Sequence, residues 1–206
     1  MEPNLKFGHL ADEHTIQKTL EALSKNGFIV FIVQNKNEAR QKVLELLPKG
    51  SEVFTLTSQT LEQTGITKAV NESGDFKSVR NQLYAMNRET QKDEMRKLGA
   101  APEWAVGSVH ALTQEGQALV ASNTGSQLPA YAYGAEKVIW VVGAQKIVKN
   151  ADEARQRIRE YTFPLEDERA LAAYGVHSGI SKMMLFNKEI VPGRITIIIV
   201  KEKLGF

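Results

Sequence analysis

Two short runs constrain this chain more than anything else in it: Val138-Ile139-Trp140-Val141-Val142-Gly143 and Ile195-Thr196-Ile197-Ile198-Ile199-Val200. Both are dominated by β-branched and aromatic residues and lack the apolar/polar alternation of a strand with one wet face. They predict strands covered on both faces, inside a sheet that lies between other layers. Parallel sheets with helical crossovers are the usual setting for such strands.

The remainder of the chain supplies those crossovers. Residues 12–25 carry Ile16, Leu20 and Leu23 on one helical stripe, with Gly27 as a C-terminal stop, and a strand follows over 28–33. Asn35, with Glu38 three residues on, caps a second helix striped by Ala39, Val43 and Leu46 or Leu47, which ends at Pro48-Lys49-Gly50. A strand at 51–56 turns into a short helix, and a polar connection containing Gly74 spans 71–80. One charged helix is expected over 83–98, with Arg88, Glu89, Lys92, Glu94 and Arg96 on a solvated face.

Pro102 precedes three apolar runs, at 104–109, 117–121 and 137–142, with the turn at 113–116 suggesting a hairpin. Asn150 and Glu153 cap a helix bearing Ala154, Ile158 and Tyr161 on one side, with Arg155, Arg157 and Arg159 directed to solvent. Residues 183–186 form a short apolar run, and Val191-Pro192-Gly193-Arg194 places proline and glycine as a type II turn requires. The pattern predicts an α/β fold: a mostly parallel central sheet flanked by helices, with an inserted hairpin, in a single domain over 1–206. Apolar residues within 163–171 fit either a homodimer contact or packing on the domain itself.

Composition removes several function classes. The net charge of +2, from 26 basic and 24 acidic residues, creates no field suited to nucleic acid. With no cysteine, the chain has no disulfide, no thiol nucleophile and no thiolate ligands for an iron–sulfur cluster. The first residues lack a secretory pattern and no run is long and apolar enough for a membrane span, so a cytoplasmic protein is expected. The common nucleotide, zinc, calcium and hydrolase motifs are absent, and His9, His14, His110 and His177 lack metal-ligand spacing. His9 and His14 read as surface residues, while His177 lies in a polar loop that either closes over a site or connects elements.

Candidate site residues sit in the polar breaks between strands. Thr57, Ser58 and Thr60 follow one strand and open a helix, where backbone N–H groups favour an anion, although capping explains a hydroxyl there equally well. Asn123, Thr124, Gly125 and Ser126 offer an amide, two hydroxyls and a glycine that lets the backbone approach a ligand. Gly143 and Lys146 follow the central strand, and Lys146 suits a phosphate or carboxylate as a point charge. Parallel topology would bring these turns to one side of the sheet. His110 and Glu115 are the candidates for catalysis, each weighed against a structural or solvated role.

The blocks GSVHALTQEGQALVASNTGSQLPAYAYGAEKVIWVVGAQKIV and IVPGRITIIIVKEKLGF, with the turn TSQTLE, resemble the LUD domain, the lactate-utilisation protein family. The most specific parts are Thr113-Gln114-Glu115-Gly116, Thr124-Gly125, the segment 141–148 and the Pro-Gly-Arg-Ile ending. The resemblance implies the fold group of glucosamine-phosphate deaminase, ribose-phosphate isomerase and CoA-transferase domains, with ligands at the carboxyl ends of the strands. It further implies a role in oxidation of L-lactate to pyruvate beside iron–sulfur partner proteins that carry the electrons, and Glu115 lies in a hairpin of the sort that holds the CoA-transferase nucleophile. The block 121–126 departs from the Asp-Gly-Thr-Gly-Asn form of lactate-operon members. A non-catalytic sensor of a phosphorylated or CoA-linked metabolite is the second expectation.

Overall fold

The computed structural model describes residues 2–206. Its centre is a six-stranded parallel sheet, in the spatial order β1 (Ile29–Val33), β10 (Ile195–Val200), β7 (Lys137–Gly143), β4 (Trp104–Gly107), β2 (Glu52–Thr55) and β3 (Lys77–Ser78). The two most apolar runs are neighbours in it, paired from Ile195 with Val138 to Val200 with Gly143. Successive side chains of a strand point to opposite faces. Val138, Trp140, Val142, Ile195, Ile197 and Ile199 accordingly enter one core, while Ile139, Val141, Ile198 and Val200 enter the other.

The second of these cores is closed by α2 (Lys36–Leu46), α3 (Gln59–Thr64) and α4 (Ile66–Asn71), through Ala39, Val43, Leu61, Ile66 and Val70. Over the first lie α1 (Glu13–Lys25) and a smaller sheet of β8 (Ile147–Val148), β5 (Ala111–Thr113), β6 (Ala118–Ser122) and β9 (Lys182–Phe186). The expected hairpin is the antiparallel pair β5 and β6, and it forms the middle of this second sheet. Its outer face packs on α7 (Ala151–Arg157), a wide turn at Ile158–Thr162 and α8 (Phe163–Tyr174), through Ala154, Ile158 and Tyr161.

Two local expectations are corrected. The charged helix over 83–98 is broken into α5 (Val79–Ala85) and α6 (Lys92–Ala100). Between them the Asn87 side-chain oxygen accepts the N–H groups of Glu89, at 2.8 Å, and Thr90, at 3.2 Å, an alternative to helical bonding that asparagine readily provides. The connection over 71–80 is likewise not all loop, since it holds β3 and the start of α5.

Trp140 is the hub between the sheets. It is fully buried, with ring centroids 5.3 Å from Tyr131, 5.0 Å from Phe186 and 6.2 Å from Phe28. Tyr131 in turn lays its hydroxyl over the end of β4, where it accepts the Ser108 N–H at 3.1 Å. Only glycine fits beneath, because a Cβ on Gly107 would stand 1.8 Å from that hydroxyl. Every strand of the large sheet runs the same way, so β2, β4 and β7 open their carboxyl ends on one side.

Trp140→Ala should cost about 3–5 kcal/mol of stability, the usual range for emptying a large aromatic site. Trp140→Phe should cost less than half as much, because the indole N–H has no partner to lose among the described residues. Urea denaturation of the two variants measures the difference.

Candidate functional site

A cavity of about 540 Å³, the size of a small-molecule site, lies where β2, β4 and β7 end and β6 begins to leave the smaller sheet. After β7, one tight turn at Ala144–Lys146 carries the chain directly into β8, so the Lys146 side chain is trapped between the two sheets. It is 2% exposed. Its Nζ lies 3.0 Å from Thr60 Oγ1, 3.2 Å from Ser108 Oγ and 3.3 Å from the Val109 carbonyl. These are neutral oxygens, and Lys146 makes no ion pair among the described residues. Burial, and then the Arg157 charge, hold the ammonium form well below the ordinary lysine range.

Arg157 overturns its expected solvated position. It is fully buried, with Nη1 donating to the His110 carbonyl and, at 2.9 Å, to Thr162 Oγ1. Nε and Nη2 have no hydrogen-bond partner among the described residues, and burial lowers the guanidinium to about 10. The spacing was informative: Arg157 stands three residues after Ala154 and four before Tyr161, on the face that buries both. Two buried basic side chains thus stand near one cavity without a carboxylate between them.

His110 follows β4 and lines the cavity. Its Nδ1 accepts the Ala121 N–H at 3.0 Å, which leaves the proton of the neutral ring on Nε2. Burial, then Lys146 and Arg157, lower the imidazolium to about 3.

Nearer the mouth, Arg80 donates from Nε to the Thr55 carbonyl at 2.8 Å, from Nη2 to Thr57 Oγ1 at 3.2 Å, and from Nη1 to the Tyr84 hydroxyl at 3.0 Å. Arg88 also lines the cavity. Glu166 supplies the one carboxylate side chain in the lining, and Arg169 takes both its oxygens at 2.7 Å. The balance of charge is therefore positive, which suits an anion.

Most of the polar candidates converge on the cavity. Thr57, Ser58, Thr60, His110, Asn123, Thr124, Ser126 and Lys146 all line this one cavity. Ser58 also caps α3, its hydroxyl accepting the Leu61 N–H, which is the capping role considered for it. Gly125 has positive φ and gives its N–H to Ser122 Oγ at 2.8 Å, a bond that occupies the amide offered for a ligand. Gly143 lies outside the lining. It is the crossing point of the C-terminal tail, since a Cβ there would stand 2.7 Å from the Leu204 nitrogen. Glu115 is exposed at the hairpin tip, where its carbonyl accepts from Asn26 just before β1, at the amino edge of the sheet and away from the cavity.

The loop after α8 rims the mouth through Ser178, Gly179 and Ile180. Asp167 tethers it, accepting from the Ser178 N–H at 2.8 Å and facing His177 Nδ1 at 2.9 Å. Arg80, Tyr84, Arg88, Ser108, Glu166 and Arg169 are cavity residues that the sequence reading missed. Three of them sit in the segment misread as connection and unbroken helix. No group of three or more His, Cys, Asp or Glu residues among those described could hold a metal ion. No helix among them is long and apolar enough to cross a membrane.

The family model for the LUD domain matches residues 16–200, which takes in every strand of both sheets. The structure is similar to that of a DUF162 family protein from Deinococcus radiodurans, with a TM-score of 0.58 and 12% identity. That likeness covers 93% of this chain and 99% of the other, and it concerns the fold. No curated protein matches the chain.

Between pH 6.5 and about pH 3, the unfolded chain binds a proton at His110 that the folded chain refuses. A depressed histidine thus makes stability fall as pH falls through this window, by at most about 1.4 kcal/mol per pH unit. His110→Gln should flatten that part of the acid limb. Urea midpoints of both proteins at pH 7 and pH 4.5 would show whether it does.

Proposed function

The chain belongs to the LUD domain family, and from that premise we propose that its cavity binds a small organic-acid anion in lactate-utilisation metabolism. One observation carries the reading: Arg157 is buried without a carboxylate partner, and so is Lys146, whose ammonium form burial disfavours, so the countercharge that both side chains lack is an anion. Burying such charge is costly unless it is paired, and a bound carboxylate supplies the pairing. Thr57, Ser58, Thr60, Asn123, Thr124 and Ser126 then serve as hydroxyl and amide contacts on the walls. Gly125 and Gly143 act through the backbone they shape.

On this reading L-lactate or pyruvate occupies the cavity. Electrons from lactate oxidation pass to cytoplasmic iron–sulfur partner proteins, since the chain has no cysteine to ligate a cluster of its own. A second reading, a sensor of a phosphorylated or CoA-linked metabolite, is favoured by the arginines near the mouth. Arg80 and Arg88 stand where a phosphate on a longer ligand would reach.

Thermal-shift titration separates the two. L-lactate and pyruvate should each raise the melting temperature of the wild type in a dose-dependent way. Arg80→Ala should weaken that binding by roughly tenfold, the loss of one charge-assisted contact. A shift confined to sugar phosphates and CoA esters would move the assignment to the sensor, and no shift with any of these anions would reject both.

A further inference from the structure

We propose that Lys146 is a carbonyl-capturing lysine, whose Nζ forms an imine with a 2-oxo acid bound in the cavity at the carboxyl ends of β2, β4 and β7. The inference rests on the anion-binding reading above and adds a covalent step and a substrate class to it.

The cavity contains one group suited to nucleophilic attack. The chain has no cysteine. Serine and threonine hydroxyls also line the cavity, but among the described residues none of them is hydrogen-bonded to an imidazole or a carboxylate that would activate it. Lys146 differs from a lysine that serves as a point charge, which gains by keeping its ammonium hydrated or against a carboxylate. Here Nζ faces two hydroxyls, which can donate to its lone pair as well as accept from it, and one carbonyl, with no carboxylate to hold its proton, while burial and Arg157 disfavour the ammonium form.

The surroundings match the other half of the reaction. His110 keeps its Nδ1 on the Ala121 N–H, which leaves Nε2–H as a neutral donor in the same cavity for the carbonyl oxygen. Arg80 and Arg88 line that cavity and suit the adjoining carboxylate. As the Nζ–C bond forms, the carbonyl π pair moves onto oxygen, which takes up one of the amine protons by way of the Thr60 or Ser108 hydroxyl. The second amine proton joins the resulting hydroxyl, which leaves as water while C=N forms. The sum is amine plus oxo acid giving imine plus one water, with no change of oxidation state.

Borohydride reduction of the full chain in the presence of pyruvate, followed by peptide mapping, tests the step. Reduction should leave one pyruvate-derived adduct on the peptide containing Lys146, above the level on any surface lysine in the same digest. Replacing pyruvate with L-lactate, which has the carboxylate but no carbonyl, should abolish the adduct. Lys146→Met should also abolish it while near-ultraviolet circular dichroism stays native. If pyruvate raises the melting temperature of the wild type but Lys146 carries no adduct, the imine is wrong and the anion site stands. If neither acid shifts the melting temperature and no adduct forms, both fall together.

Discussion

Burial of β7 and β10 on both faces is the constraint from which the architecture follows. Their side chains alternate between two cores, so neither face can be left to water. One face is closed by the helices that connect the parallel strands. The other is closed by α1 and by a second sheet, and Trp140 is the contact that holds the two sheets together. Because the chain must step from β7 straight into β8 to build that second sheet, whatever residue occupies the step is forced into the interior. Lys146 occupies it, and the position of the cavity and its unusual charge both result from this one connection.

The site reverses the usual arrangement of buried charge. Buried cations ordinarily face a carboxylate, as Arg194 does with Glu189 at 2.9 Å elsewhere in this protein. At the cavity the sole carboxylate side chain in the lining, Glu166, is taken by Arg169, and Lys146 and Arg157 are left without one. Two hydroxyls and one carbonyl solvate Lys146 in part, and two Arg157 nitrogens have no hydrogen-bond partner among the described residues. Such an arrangement stores a preference for an incoming anion, at some expense to the stability of the unliganded chain.

The fold was largely legible because it rests on local signals. Continuous β-branched runs, the Asn35 and Asn150 caps and the Pro-Gly turn each act within a few residues, and each is where it is expected. What failed also has local causes. Asn87 breaks a helix through its side chain, a competition that charge patterning does not reveal. Arg157 was read by its chemistry as a solvated residue, although its spacing from Ala154 and Tyr161 already placed it on the buried face. The 57–60 and 123–126 turns do converge, but not through a shared parallel sheet as expected, since β6 runs antiparallel in the smaller sheet and the packing of the two sheets brings its end to the cavity. The role of Arg80 was not legible, since it depends on α5 starting at Val79 and on long-range bonds to Thr55. Glu115 shows the limit of resemblance, because a hairpin can be retained while its tip points away from the cavity.

The central claim is that burial disfavours the ammonium form of Lys146 and that an anion entering the cavity restores it. Isothermal titration of L-lactate in buffers of different ionisation enthalpy measures it most directly, because an anion placed beside Nζ favours the ammonium form. The account predicts net proton uptake on binding near neutral pH, and no uptake in Lys146→Met. Lactate binding with no proton uptake by the wild type, or with the same uptake in Lys146→Met, would contradict it.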